Sequence, residues 1–416
     1  MAKLAINGGP KAAEGFGLPE WPLFDDEYRE IVLDVLSSRH WGRLHPDSRV
    51  EEFERAYAEY HGARFGIGVS NGTTALELAL LATGIKAGDE VLVPAVSFIA
   101  SASAIVTGVG AVPIFVDIDP ETACISPDAI EKAVTDRTRG VVAVHYGGYP
   151  ADFDRILPIV HEHDLVLVED CAHAQGSEWK GRKVGTFGDI GCFSFQESKA
   201  LTAGEGGIVL TDDEELAESA RLYHNIGRVV GRPGYQHHVL ASNYRMTEFQ
   251  GALLSTQLER YRQNQFDSKY ENYQFLVKEL QLLGGIEPQK HDERITGRGF
   301  YFIVLRYHSD QFDGVHRDRF MEALNAEGVP CAAGYAVPLY KQPAFKREGV
   351  ERLLAESARP WPDYETMFLP ASERFCAEEQ ITIRHQALLT GHQGMQQIID
   401  AVAKIKENIA ELAATE

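Results

Sequence analysis

The chain predicts an α/β fold, with a large lobe built on a mostly parallel sheet and a smaller α+β lobe after it. Three observations carry that prediction. Between Phe65 and Leu210, short β-branched runs alternate with amphipathic segments, the order expected when crossover helices bury a parallel sheet on both faces. After Thr247 the texture changes to long helical stretches, with Leu253, Leu254, Gln257, Leu258 and Tyr261 at three- and four-residue spacing. At 416 residues the chain also exceeds what one ordinary core serves, which favours two packed lobes. We place the division at residues 1–265 and 266–416, with the N-terminal arm in the large lobe.

Taken in order, strands are expected at residues 90–93, 112–116, 140–145, 165–169, 192–195 and 208–210, each a short apolar run. Turn formers such as Ala87-Gly88-Asp89 and Asp119-Pro120 separate them. In the second lobe, residues 299–305 read as a strand. The chain then ends in one helix that carries Met395, Ile398, Val402, Ile405, Ile409 and Leu412 on a single face. Neither an internal repeat nor a low-complexity tract interrupts this order.

Composition narrows the function classes. Hydrophobic residues make up 44% and charged residues 24%, the balance of a globular protein. Forty Lys and Arg against sixty-one Asp and Glu leave a formal charge of -21, which repels phosphate backbones and anionic membranes. We therefore expect neither a nucleic-acid nor a membrane partner. No uncharged run approaches the roughly 18 residues that span a bilayer, and the first residues lack a secretory pattern, so a cytoplasmic location is expected. Cys124, Cys171, Cys192, Cys331 and Cys376 show no CxxC spacing and read as reduced thiols.

The most informative stretch is Ser194-Phe195-Gln196-Glu197-Ser198-Lys199, which runs into Thr202-Ala203-Gly204-Glu205-Gly206-Gly207. It sets a lysine between a buried strand and a glycine-rich turn. A single lysine is more often a solvated loop residue, so partners elsewhere must decide. Asp170 ends the apolar run Leu165-Val166-Leu167-Val168, at the strand edge where α/β proteins bind ligands, although a helix cap would need the same residue. Ser70-Asn71-Gly72-Thr73-Thr74 opens an apolar helical run and offers free amides to an anion, or simply an N-cap. Phe98 follows another strand end, where its ring fits either a planar ligand or the core. His161, His163, Cys171 and His173 lack metal-ligand spacing, and no metal is expected.

In combination these residues resemble the DegT/DnrJ/EryC1/StrS aminotransferases, a branch of the pyridoxal 5'-phosphate (PLP)-dependent transferase fold type I. The likeness runs from Trp21-Pro22 and Glu51-Glu52-Phe53-Glu54 through Asn71-Gly72-Thr73, Glu169-Asp170-Cys171-Ala172-His173 and Gly204-Glu205-Gly206-Gly207 to Ser242-Asn243-Tyr244-Arg245-Met246. The resemblance implies PLP as cofactor, Lys199 as its covalent anchor and Asp170 as partner of its ring nitrogen. It also implies that Phe98 stacks on the ring, that His173 lies near its hydroxyl, and that Gly72, Thr73 and Ser194 hold the phosphate. Asn243 is implied to reach the neighbouring subunit's phosphate in a homodimer with shared active sites.

Ser194-Phe195-Gln196 and Ile383-Arg384-His385-Gln386 resemble the branch of L-glutamine:scyllo-inosose aminotransferases and 3-amino-5-hydroxybenzoate synthases. That branch implies ping-pong transfer of nitrogen from L-glutamine, or L-glutamate, to a cyclic polyhydroxy ketone. Other readings keep the cofactor: a nucleotide-ketosugar aminotransferase, or a dehydratase and aromatase of the synthase type. A non-enzymatic PLP sensor is disfavoured by the intact lysine and aspartate. Tyr335 to Tyr340 occupies the place of a substrate loop, and Arg228 and Arg232 are either donor-carboxylate ligands or exposed loop residues.

Overall fold

The computed structural model describes residues 3–45, 47–229, 232, 235–350 and 362–413. The first apolar runs become β1 (Phe65–Val69), β2 (Glu90–Pro94), β3 (Val112–Val116), β4 (Thr138–Val144) and β5 (Val166–Asp170). Short β6 (Glu178–Trp179) and β7 (Arg182–Lys183) precede β8 (Ile190–Ser194) and β9 (Gly207–Thr211). Seven of these strands form one sheet in the order β1-β9-β8-β5-β4-β2-β3.

Alternation within a strand explains why the runs are apolar throughout. In β2, Val91 and Val93 enter the cluster under the helices Gly72–Ala82 and Ala100–Val109, whereas Leu92 enters the opposite cluster with Ile130 and Phe153. Both faces are covered, as the sequence predicts for a sheet between helical layers. One strand departs from the parallel reading. The run at 208–210 lies in β9, which pairs antiparallel with both β8 and β1. The link at residues 195–206 contains turns and no helix, so the chain has no crossover and must return alongside β8 in the opposite sense.

In the second lobe, β10 (Ile286–Pro288), β12 (Phe302–Tyr307) and β13 (Gln380–Arg384) form a small antiparallel sheet, while β11 (Ile295–Gly297) pairs with β6. Leu276, Leu280, Phe320, Met395 and Ile398 pack against that sheet from the helices Phe266–Leu283, Arg317–Ala326 and Gly391–Glu407. The N-terminal segment, assigned on sequence to the large lobe, sends Leu4 and Ala13 into this same cluster. Glu327, fully buried, accepts from the Ala5 and Ala12 N–H groups and from Lys404 Nζ, each at 2.8 Å. The closing helix expected as one piece stops at Glu407, and Leu412 belongs to a separate short turn, Ala410–Ala413. Among the described residues no helix is long and apolar enough to cross a membrane.

Candidate active site

The C-terminal ends of β5 and β8 are neighbours in the sheet, and each delivers one reactive side chain. Asp170, the last residue of β5, is 5% exposed. Its Oδ2 accepts from Ser101 Oγ at 2.7 Å and its Oδ1 from the Ala172 N–H at 3.1 Å. Ser97 braces Ser101 at 2.7 Å. The carboxylate therefore keeps neutral donors only, and no arginine or lysine pairs with it among the described residues.

Lys199 lies in the turn after β8. Gln175 clamps that turn, donating to Ser194 O at 2.7 Å and accepting from the Leu201 N–H at 2.8 Å. Trp21 Nε1 donates to both Glu197 O and Lys199 O at 3.1 Å. The lysine side chain is buried and donates no hydrogen bond among the described residues. Its Nζ sits 3.7 Å from the centre of the Tyr301 ring. Burial pushes the Lys199 amine down to about 7, and the Asp170 charge opposes that shift. An amine so held is uncharged often enough at neutral pH to act as nucleophile and base.

His173 is buried and held well below the usual histidine range, first by burial and then by Lys199. Its Nδ1 accepts from the Gly147 N–H at 3.4 Å, which places the proton on Nε2, 3.3 Å from the Tyr335 hydroxyl. The imidazole stacks on Tyr301 with ring centres 4.6 Å apart. Phe98, 53% exposed, faces Tyr335 at 6.4 Å and forms the lip of the site.

The third part is the start of the helix Gly72–Ala82. Asn71 caps the Thr74 N–H, and among the described residues the amides of Gly72 and Thr73 meet no acceptor. A Cβ on Gly72 would lie 2.6 Å from Ser194 Cβ, so only glycine lets this helix end close against β8. Asn243 is exposed, and its Oδ1 accepts from the Arg245 N–H at 3.2 Å. Asp170, Lys199, His173, Ser194, Gly72 and Thr73 thus gather at one edge of the sheet, whereas Asn243 faces outward.

Beside Lys199 opens a cavity of about 1030 Å³, bordered by Trp21, Ser198, Tyr301, Tyr335, Arg384 and Gln386 among others. Sequence reading missed Tyr301, Ser101 and Gln175 altogether. It placed Arg384 and Gln386 in a branch motif without a role. Arg228 is half-buried with its guanidinium 5.8 Å from the Tyr235 ring and does not border the cavity, nor does Arg232. The four residues considered for zinc do not assemble, since His161 and His163 are exposed and Cys171 and His173 buried. His145, Glu169 and Cys171 do cluster, but Glu169 already accepts from His145 and from the N–H groups of Gly185, Phe187 and Gly188.

A buried lysine, a carboxylate without a cationic partner among the described residues and a helix start with free amides thus come together at the strand ends. Comparison with known proteins gives the family. The chain belongs to the DegT/DnrJ/EryC1/StrS aminotransferase family, whose profile matches residues 23–387. A protein of Streptoalloteichus tenebrarius, provisionally named L-glutamine:3-amino-2,3-dideoxy-scyllo-inosose aminotransferase, is 39% identical over 99% of each chain. The L-glutamine:2-deoxy-scyllo-inosose aminotransferase of Streptomyces kanamyceticus is 36% identical over 99% of each. Among solved structures, 3-amino-5-hydroxybenzoic acid synthase superposes with a TM-score of 0.81 at 32% identity, covering 94% of this chain and 99% of that one. The protein is a PLP-dependent aminotransferase of the type I fold.

Proposed function

We propose that this enzyme moves an amino group from L-glutamine to a cyclic polyhydroxy ketone such as scyllo-inosose, in aminocyclitol biosynthesis. The observation that carries the proposal is the unpaired Lys199 amine, held beside a cavity large enough for a six-membered polyol. The names of the two relatives supply the donor and acceptor classes.

The residues present fit PLP. Asp170, with no cationic partner among the described residues, would meet a ring nitrogen; the free amides of Gly72 and Thr73, with the Ser194 side chain beside them, would hold a phosphate; Phe98 would offer an exposed ring face. When bound, PLP supplies an electron sink for the pair released as the donor loses its α-proton. The protein's own contribution is proton management. The Lys199 amine, uncharged for part of the time near neutral pH, would hold the cofactor and could take the proton from the donor's α-carbon. Asp170, which accepts from Ser101 and Ala172 and has no cationic partner among the described residues, would favour a protonated ring nitrogen. His173 stays neutral and fixes Tyr335 at the cavity wall.

We also propose a homodimer with shared sites, in which the exposed Asn243 serves the neighbouring phosphate. Phe24, Trp41 and Leu240, exposed by 70%, 50% and 100%, are apolar surface that such a contact would cover. Sedimentation of the native enzyme tests this, and a monomer at micromolar concentration refutes it.

The test of function is spectroscopic. L-glutamine added without acceptor should bleach the visible band of the PLP-loaded enzyme, and scyllo-inosose should then restore it with release of the amine. No response to any amino donor would remove the proposal. Restoration only by a nucleotide ketosugar would replace the acceptor.

A further inference from the structure

The cavity beside Lys199 has an uneven set of charges. Along β13, Ile381 and Ile383 point into the small-lobe core, so Thr382 and Arg384 point the other way, toward the cavity. Gln386 follows two residues on, in the short helical turn His385–Leu389. Arg384 is exposed and its side chain forms no ion pair or hydrogen bond among the described residues, although most of the described arginines have a carboxylate or carbonyl partner. Gln386 is 5% exposed, and its Oε1 is buried with no partner. A buried amide oxygen left unpaired is costly unless a ligand supplies the missing bond. Two carboxylates, Glu20 and Glu197, line the same cavity and are unpaired among the described residues.

From this arrangement we propose that Arg384 and Gln386 recognise the amino donor, and that the cavity selects L-glutamine over L-glutamate by charge balance. The inference rests on the aminotransferase reading above and names the donor subsite of that same site. A donor bound through its α-amine at Lys199 brings an α-carboxylate into a space with one unpaired cation, Arg384, whose planar fork suits it. The far end of the donor then meets a neutral amide. A carboxamide satisfies Gln386 as donor or acceptor, whichever way that side chain is turned. A second carboxylate instead brings a further negative charge beside Glu20 and Glu197 with no second cation to offset it. The selectivity thus comes from an unfavourable element against glutamate as much as from a bond to glutamine.

The test is a single-turnover titration of the PLP-loaded enzyme, reading the bleaching rate and half-saturation for each donor. Half-saturation for L-glutamine should be lower than for L-glutamate by about tenfold or more, the scale of one uncompensated charge contact. Glu20→Gln with Glu197→Gln, both on exposed residues and so harmless to folding, should narrow that ratio to about threefold or less. Arg384→Gln should raise half-saturation for both donors by about tenfold while the limiting rate holds within about threefold. A readout apart from turnover is phenylglyoxal labelling of the Arg384 peptide, which L-glutamine should slow more than L-glutamate at equal concentration. Equal use of both donors by the native enzyme, or a ratio unmoved by the double variant, overturns the inference and leaves the aminotransferase reading standing. A loaded enzyme that bleaches with no amino acid at all overturns both.

Discussion

Replacing Lys199 by methionine should abolish turnover and yet make the cofactor-free protein more stable. The cause is the cost of holding an amine in a buried site. The Lys199 amine falls from its ordinary value of 10.5 in the unfolded chain to about 7 in the fold, chiefly through burial. Between those values the unfolded chain binds more protons than the native one, so native stability rises as pH climbs from about 7 toward 10.5. Near pH 7.5 the linkage costs the native state about 4 kcal/mol relative to a side chain that never ionises, and near pH 10 only about 1 kcal/mol. Methionine fills a similar volume and removes no hydrogen bond, because Lys199 makes none with its side chain among the described residues. Urea unfolding of both proteins, stripped of cofactor so that ligand binding does not add to stability, measures the difference. The variant should be more stable by about 4 kcal/mol near pH 7.5, with the gap closing as pH rises. A variant no more stable than the parent, or a gap that ignores pH, would refute the account of Lys199 as an amine depressed by burial.

Three further outcomes follow from the same geometry. Asp170→Asn, which keeps the contact to Ser101 but loses the charge, should lower kcat by about a hundredfold or more in steady-state assays, with cofactor still bound. Gly72→Ala should weaken cofactor binding and cost about 1–3 kcal/mol in urea melts, because the added Cβ lies 2.6 Å from Ser194 Cβ. Lys269→Met should stabilise the protein with the same pH dependence as Lys199→Met, since burial alone brings the Lys269 amine down to about 7. The gain should be smaller by about 1–3 kcal/mol, because buried His385 loses the Nζ contact at 3.3 Å.

What could be read from sequence was what depends on neighbours in the chain. The apolar runs of β2, β4 and β5 bury alternate residues in two separate clusters, so each run is its own evidence for a strand covered on both faces. Asp170 and Lys199 stand at the ends of two such runs, where the strand edge places them together without any long-range information. The reversal of β9 was less visible, because an apolar run reads the same in either direction and only the absence of a helix in the link before it marks a return. The arm at Leu4 was illegible for a related reason. What seats it is Glu327, some three hundred residues away, and no local pattern records that its carboxylate accepts from the Ala5 and Ala12 amides.

The same distinction explains which site residues were missed. Tyr301 opposes Lys199 from β12's approach, and Ser101 reaches Asp170 from the first turn of a helix, so both act through space and carry no signature of their own. Arg384 and Gln386 show the effect most clearly. On a strand whose alternate residues fill the small-lobe core, a polar residue is the ordinary outward choice and predicts nothing. Its meaning appears only when the fold turns that outward face toward a cavity, where among the described residues no carboxylate pairs the guanidinium and no group meets the buried amide oxygen. Chemistry common to the family is therefore written in strand ends and turns. Donor choice, through the charge balance of the cavity, is written in what the second lobe brings to the first.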